Sequence, residues 1–336
     1  MNRHFDRRYD RLRQRVDRRL ATVAMHGAPE ELGQACRYVL TGGGKRLRAV
    51  LVLLSAEAVG GTARQALDAA AAIEIMHNFT LVHDDVMDHA RTRRGRPTVH
   101  VRWSLNTALL TGDTLLAVAY KSLLHTPHVA DCGIVRLFTQ GVIDVCEGQA
   151  LDMEYEKRDN VTVRDYFAMI EKKTGRLIST ATELGAHIGG GTPEQARALH
   201  RFGHYLGRAF QLQDDLLDVF GSEEEFGKTI GGDIVEGKRT FLLLTALERA
   251  RGDDRRLLQR VARRNTGTGG ASTPRARRAL VARIRSLYAA HGVIDETQRL
   301  VRQNTHRALA VLSTLPASPA RDMLAWLSNK LIHRAF

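Results

Sequence analysis

Apolar side chains recur every three to four positions along almost the whole chain. In residues 1–20 the stripe is Phe5, Tyr9, Leu12, Val16 and Leu20 with arginines between, which predicts a basic amphipathic helix. Long Ala/Leu-rich segments with helical periodicity follow at about 45–59, 64–90, 104–123, 130–156, 163–187, 193–220, 238–251 and 275–314. The seven prolines, at 29, 97, 127, 193, 274, 316 and 319, fall at segment edges, where a helix loses no internal hydrogen bond to them. Strict period-two alternation between turns is missing, so no sheet is expected. No repeat and no central linker is visible. Residues 265–274, rich in Gly, Ser and Thr and ending in Pro274, read as a flexible surface loop. The expectation is one all-α domain over residues 1–336.

Composition refines this. The chain has 336 residues, 43% of them hydrophobic and 26% charged, as an ordinary globular protein does. Its net charge of +13 invites a nucleic-acid or membrane partner. The excess is local. Residues 1–20 hold eight Arg and three Asp, and residues 251–286 hold eleven Arg and two Asp, so the remainder is close to neutral. Cys36, Cys132 and Cys146 are odd in number and widely spaced, which excludes a disulfide framework and suits a reducing compartment, so a cytoplasmic protein is expected. The N-terminus has no apolar signal core, and no stretch of about eighteen apolar residues occurs.

Chemistry is concentrated in a few motifs. His83-Asp84-Asp85-Val86-Met87-Asp88 puts Asp84 and Asp88 on one helix face, four apart, with Asp85 beside them. Carboxylates packed this way repel unless a cation lies between them, and hard oxygen ligands suit Mg²⁺. A solvated acidic helix end would explain one such motif. Gln213-Asp214-Asp215-Leu216-Leu217-Asp218 repeats the spacing within an apolar segment, where two acidic faces would be costly without a cation. Thr41-Gly-Gly-Gly-Lys45-Arg46-Leu47-Arg48 is a glycine-rich basic turn suited to phosphate, without Walker A spacing. Arg93-Arg94-Gly95 and Gly227-Lys228-Thr229…Asp233…Gly237-Lys238-Arg239-Thr240 are further basic turns, each also explicable as solvated surface. Only eight of the fifty basic residues are lysines, yet Lys45, Lys228 and Lys238 stand beside glycines and Lys173 precedes Thr174-Gly175. A compact point charge suits those places better than a planar fork.

In this order the motifs resemble the trans-isoprenyl diphosphate synthases. The resemblance runs from about residue 36 to 245. It rests on Gly-Gly-Lys-Arg-Leu-Arg (43–48), Glu74-Ile-Met-His77, Asp84-Asp85-x-x-Asp88, Arg93-Arg94-Gly95 and Thr111-Gly112-Asp113, then on Gly148-Gln149-x-x-Asp152, Lys173-Thr174, Gln211-x-x-Asp214-Asp215-x-x-Asp218 and Gly227-Lys228. It implies an isoprenoid-synthase-type bundle of long helices around a central cavity, usually a homodimer. It implies several Mg²⁺ ions held by Asp84, Asp85, Asp88, Asp214, Asp215 and Asp218, as ligands or their close support. Arg93, Lys173, Gln211, Lys228 and Lys238 would contact an allylic diphosphate (dimethylallyl, geranyl or farnesyl). Gly44, Lys45, Arg48, His77 and Arg94 would hold isopentenyl diphosphate, and Thr174 and Gln211 would lie near the developing carbocation. Two departures stand out: Ala49 replaces a usual proline, and Gly175-Arg176 replaces small apolar residues, so that Arg176 needs an acidic partner.

Bulky Phe79 and small Thr80, five and four residues before Asp84, resemble the pattern of geranylgeranyl diphosphate synthases, although an aromatic at such a position is more often core. Farnesyl or longer products are the alternative. His77, His83 and His89 could be read as a zinc cluster, but the neighbouring carboxylates favour Mg²⁺. A class I terpene cyclase also uses an Asp-rich motif, yet such enzymes typically lack the second Asp motif and the Gly-Gly-Lys-Arg-Leu-Arg element. The basic segments read as solvated surface, with peripheral contact to anionic membrane as the second reading and no nucleic-acid partner expected.

Overall fold

A computed structural model describes residues 2–23, 27–127, 129, 132–221, 231–263 and 273–332. The helical periodicity becomes helix almost throughout. In chain order the first helices are α1 (Asn2–Ala21), α2 (Glu30–Leu40), α3 (Leu47–Ala58), α4 (Leu67–Met87), α5 (Val99–Arg102) and α6 (Leu105–Leu123). Next come α7 (Cys132–Lys157), α8 (Val163–Ile170), α9 (Arg176–Ile188) and α10 (Pro193–Phe220). The rest are α11 (Gly232–Glu236), α12 (Phe241–Arg249), α13 (Gly252–Ala262), α14 (Pro274–Ala290), α15 (Val293–Leu312) and α16 (Pro319–Ile332).

Three features depart from the sequence reading. A two-residue ladder, β1 (Thr92–Arg93) and β2 (Arg96–Pro97), pairs antiparallel where no sheet was expected. Its turn, Arg94-Gly95, has positive φ at both residues (53° and 72°), as a tight hairpin requires, and strands this short cannot show alternation. The segment 163–187 is interrupted by a π turn at Glu171–Gly175. The segment 275–314 breaks at Gly292, whose φ of 64° stops α14 before α15. The expected loop at 265–274 lies mostly outside the described residues; at its end Thr273 caps α14, its hydroxyl accepting from the Ala276 amide at 3.3 Å.

Contacts group the chain into two compact units. The first comprises residues 1–146, 176–204 and 308–327. Its centre is α3, which is apolar all round, with residues 49–54 fully buried, and which packs against α4 and α9. Four consecutive alanines, Ala69 to Ala72, are fully buried in α4. Helix α1 buries Leu12, Val16 and Leu20 and ties its polar face to the unit: Arg8 donates to Glu57 at 2.6 Å and Arg19 to Asp68 at 2.5 Å.

The second unit comprises residues 147–175, 205–307 and 328–336. Its core gathers Tyr166, Leu212, Leu216, Phe241, Ile284 and Tyr288. Helix α8 opens with a capping box, Thr162 bonding the Asp165 amide and Asp165 the Thr162 amide. Among the described residues no helix is long and apolar enough to cross a membrane.

Candidate functional site

In the first unit, site geometry starts from a buried ion pair. Arg46 precedes α3 with a left-handed φ of 51°, a conformation that persists only when its surroundings over-determine it. Its guanidinium donates to Asp17 at 2.8 Å, Glu74 at 3.0 Å and the Leu40 carbonyl at 2.7 Å. Arg46 and Glu74 are both almost fully buried, so the turn at 43–46 is fixed to α4. Tyr9 adds a bond from its hydroxyl to the Lys45 carbonyl at 2.5 Å.

That fixed turn gathers the cations. Arg94 donates to the Gly43 carbonyl, and a Cβ on Gly44 would meet the Arg94 guanidinium at 2.9–3.1 Å. Gly44, at φ 131°, is thus required for this approach. Arg48 Nη1 lies 3.2 Å from His77 Nε2. Burial, then the charges of Arg48, Arg94, Arg93 and Arg46, hold His77 well below the usual imidazole range, so it stays neutral. A neutral ring ringed by four arginines marks a place built for an anion. Arg93 and Arg94 also line a small cavity of about 50 Å³ with Tyr38, Asn78, Asp85 and Arg96.

The first Asp motif divides by role. Asp85 is buried and accepts from Arg93 Nε at 2.6 Å; burial raises its carboxyl despite that partner. Asp84 closes the last turn of α4 and Asp88 caps it. Phe79 is only 7% exposed, its ring edge-on to His83 at 5.1 Å. Thr80 turns its hydroxyl back to the His77 carbonyl at 2.8 Å. The acidic partner that Arg176 requires is Asp144 on α7, which is also bound by Gln140 at 3.1 Å.

In the second unit, the π turn presents Lys173 and Thr174. Lys173 pairs with Asp152 and Lys172 with Glu147. Thr174 donates to Gln211 Oε1 at 2.8 Å, and Gln211 Nε2 donates to Asp215 Oδ1 at 2.8 Å. Tyr166 closes the chain with a bond to Asp215 Oδ2 at 2.7 Å. Asp218 accepts from the Asp233 amide at 3.0 Å, and Lys238 lies 3.7 Å from Asp233 and 3.0 Å from Glu236. Burial and then the Asp233 charge push Asp215 up to about 8 and Asp218 to about 7. Lys228 lies outside the described residues.

Among the described residues no three His, Cys, Asp or Glu side chains stand gathered as a metal site. The donor set nevertheless fits Mg²⁺. Burial and the Asp233 charge disfavour ionised Asp215 and Asp218, a penalty a bound cation would relieve, and Mg²⁺ commonly takes one or two carboxylates beside substrate phosphates. Tyr166, Arg46 and Asp144 escape the sequence reading. Nothing in spacing marks Tyr166, and Arg46 reads as one more cation in a basic turn.

The chain is similar to known proteins. The polyprenyl synthetase family model matches residues 29–273. A short chain isoprenyl diphosphate synthase of Methanothermobacter thermautotrophicus is 39% identical over 323 residues, 95% of each chain. A geranylgeranyl pyrophosphate synthase of Geoglobus acetivorans is 38% identical over 321 residues, 95% of this chain and 96% of that one. The crystal structure of geranylgeranyl pyrophosphate synthetase from Pyrococcus horikoshii Ot3 superposes with a TM-score of 0.89 at 33% identity, covering 98% of both chains.

Proposed function

The chain belongs to the polyprenyl synthetase family, and from that membership and the site we infer a trans-prenyltransferase that condenses isopentenyl diphosphate with an allylic diphosphate, giving geranylgeranyl diphosphate. The observation that carries the diphosphate chemistry is the cation set around neutral His77. The whole chain acts as one synthase domain.

Asp84, Asp88, Asp214 and Asp218 are the residues that would hold Mg²⁺, with Asp85 and Asp215 as anchored supports. Several such ions, when bound, would neutralise diphosphate charge. The allylic carbon–oxygen bond breaks and its electron pair leaves with the diphosphate. Arg93, Lys173, Lys228 and Lys238 stabilise that developing charge. Thr174 and Gln211, locked together by their hydrogen bond, turn oxygen dipoles toward the allylic cation. Lys45, Arg48 and Arg94 hold the isopentenyl diphosphate, with Gly44 giving room and His77 orienting Arg48. The isopentenyl double bond attacks the cation, and the released diphosphate takes the proton that ends the cycle.

The working form is a homodimer. Leu105, Leu109 and Leu110 of α6 are 53%, 42% and 56% exposed, an apolar surface suited to a second copy. Cys36 and Cys146 are free thiols, in keeping with a cytoplasmic enzyme.

The test supplies radiolabelled isopentenyl diphosphate, Mg²⁺ and each allylic starter in turn, and sizes the dephosphorylated alcohols. A twenty-carbon alcohol is expected. A cyclic hydrocarbon, or no elongation with any starter, would overturn the reading.

A further inference from the structure

The two basic segments behave differently once folded. The arginines of α1 are partly consumed within the first unit, by Glu57 and Asp68, while its apolar stripe is buried. Arg3, Arg7, Arg11 and Arg18 of α1 remain exposed on a single helix, whereas α13 and α14 bring exposed arginines of two helices to one concavity. Residues 251–263 and 273–290 hold ten Arg against two Asp. Arg256 and Arg260 on α13, and Arg263 just past its end, fall at i, i+4 and i+7, a single exposed stripe. Arg275, Arg278 and Arg283 of α14 are also exposed.

Arg283 of α14 joins the α13 stripe on one face. Arg283 reaches Asp254 at 3.4 Å and His291 reaches the same carboxylate at 3.3 Å, joining the helices. Asp253, Asp254, Arg256, Arg260, Arg263 and Arg283 line one open concavity of about 1120 Å³. The ion pairs here, Arg256 with Asp253 and Arg263 with Asp159, are solvent-exposed. Pairs of that kind are weak and exchange readily for another anion. A guanidinium fork suits phosphate oxygens.

We propose that this arginine face docks the enzyme on anionic phospholipid. Charge complementarity favours a phosphate-bearing surface. No aromatic side chain is exposed on α13 or α14, where Tyr288 is buried, so the face lacks the stacking platform that single-stranded nucleic acid uses. The choice of lipid also rests on the synthase reading, because a twenty-carbon prenyl diphosphate leaves most readily into a bilayer. Contact is electrostatic and lies flat on the headgroups.

The test is sedimentation of the full chain with phosphatidylcholine vesicles, with and without phosphatidylglycerol. Binding should need the anionic lipid and disappear in high salt. The variant R256Q/R260Q/R283Q should lower the partition coefficient about a hundredfold and keep elongation in detergent unchanged. The control R3Q/R7Q/R11Q/R18Q on α1 should bind within about threefold of the parent. Equal binding to neutral vesicles, no binding at all, equal loss in the α1 control, or tighter binding to duplex DNA at the same salt would each overturn the proposal. Sedimentation needs no turnover, so a failed elongation assay would count against the synthase reading and leave the docking result standing.

Discussion

A single side chain links the two chemical tasks of the second unit. Gln211 accepts from Thr174 and donates to Asp215, so it fixes both a dipole and a carboxylate. Gln211→Ala should lower turnover about 10–100-fold, as loss of a group that orients metal-site carboxylates commonly does. Isopentenyl incorporation measures it, with a melting curve to show that the fold survives. Phe79 carries the product-length question. Buried and edge-on to His83, it would leave space if truncated. Phe79→Ala should shift the product beyond twenty carbons; a lower melting temperature with an unchanged product would make it packing alone. The positions of these residues were legible in the sequence because six aspartates at fixed spacing are hard to place otherwise. Their division of labour was not. Asp84 and Asp85 read alike in the sequence, and only folding brings Arg93 to one of them. Tyr166, 49 residues from Asp215, is joined to it by tertiary packing that no local pattern encodes.

Helices were legible wherever one face is apolar for several turns, as in α1 and α10. Length did not decide it: the densely apolar α3 and α12, of twelve and nine residues, were read, while the more polar α2, α13 and α16 were not singled out as segments. The joints between elements hold two predictions. On α9, Glu183 receives His200 of α10 at 2.7 Å and has His187 at 3.9 Å. Burial opposes ionisation of Glu183, but the hydrogen bond with His200 and the nearby His187 win and bring it from 4.5 to about 2. A depressed carboxyl contributes stability above its unfolded value. That contribution, on the order of 2 kcal/mol, fades as pH falls from about 4.5 through about 2. Glu183→Gln should therefore flatten the acid limb of melting temperature against pH; an unaltered limb would remove Glu183 from the account. The Arg176 departure has a similar resolution at the α7–α9 joint. Asp144→Ala leaves a mostly buried guanidinium without its carboxylate and should cost about 1–3 kcal/mol in urea unfolding.

For the molecule as a whole, the sequence total of +13 is misleading as a guide to partners, because it averages over places with different roles. Near the catalytic motifs charge is spent on close pairs such as Arg46 with Glu74 and Lys173 with Asp152. The visible excess lies on the exposed arginines of α1, α13 and α14. The apolar surface follows the opposite logic, since three large apolar residues are exposed on α6. Leu105 and Leu109 fall at i and i+4 on one face, with Leu110 about 100° round the helix from Leu109. Fully burying a leucine is worth about 1.5–3 kcal/mol, so two at the centre of the proposed interface would contribute heavily to the proposed dimer. Leu109→Glu with Leu110→Glu replaces that gain by two buried negative charges, doubled by the two-fold symmetry. The pair should raise the dimer dissociation constant about a thousandfold or more. Light scattering at micromolar concentration would then read monomer, while circular dichroism stays helical because both positions are exposed in the single chain. A mass unchanged from the parent dimer would show that α6 is not the surface that pairs.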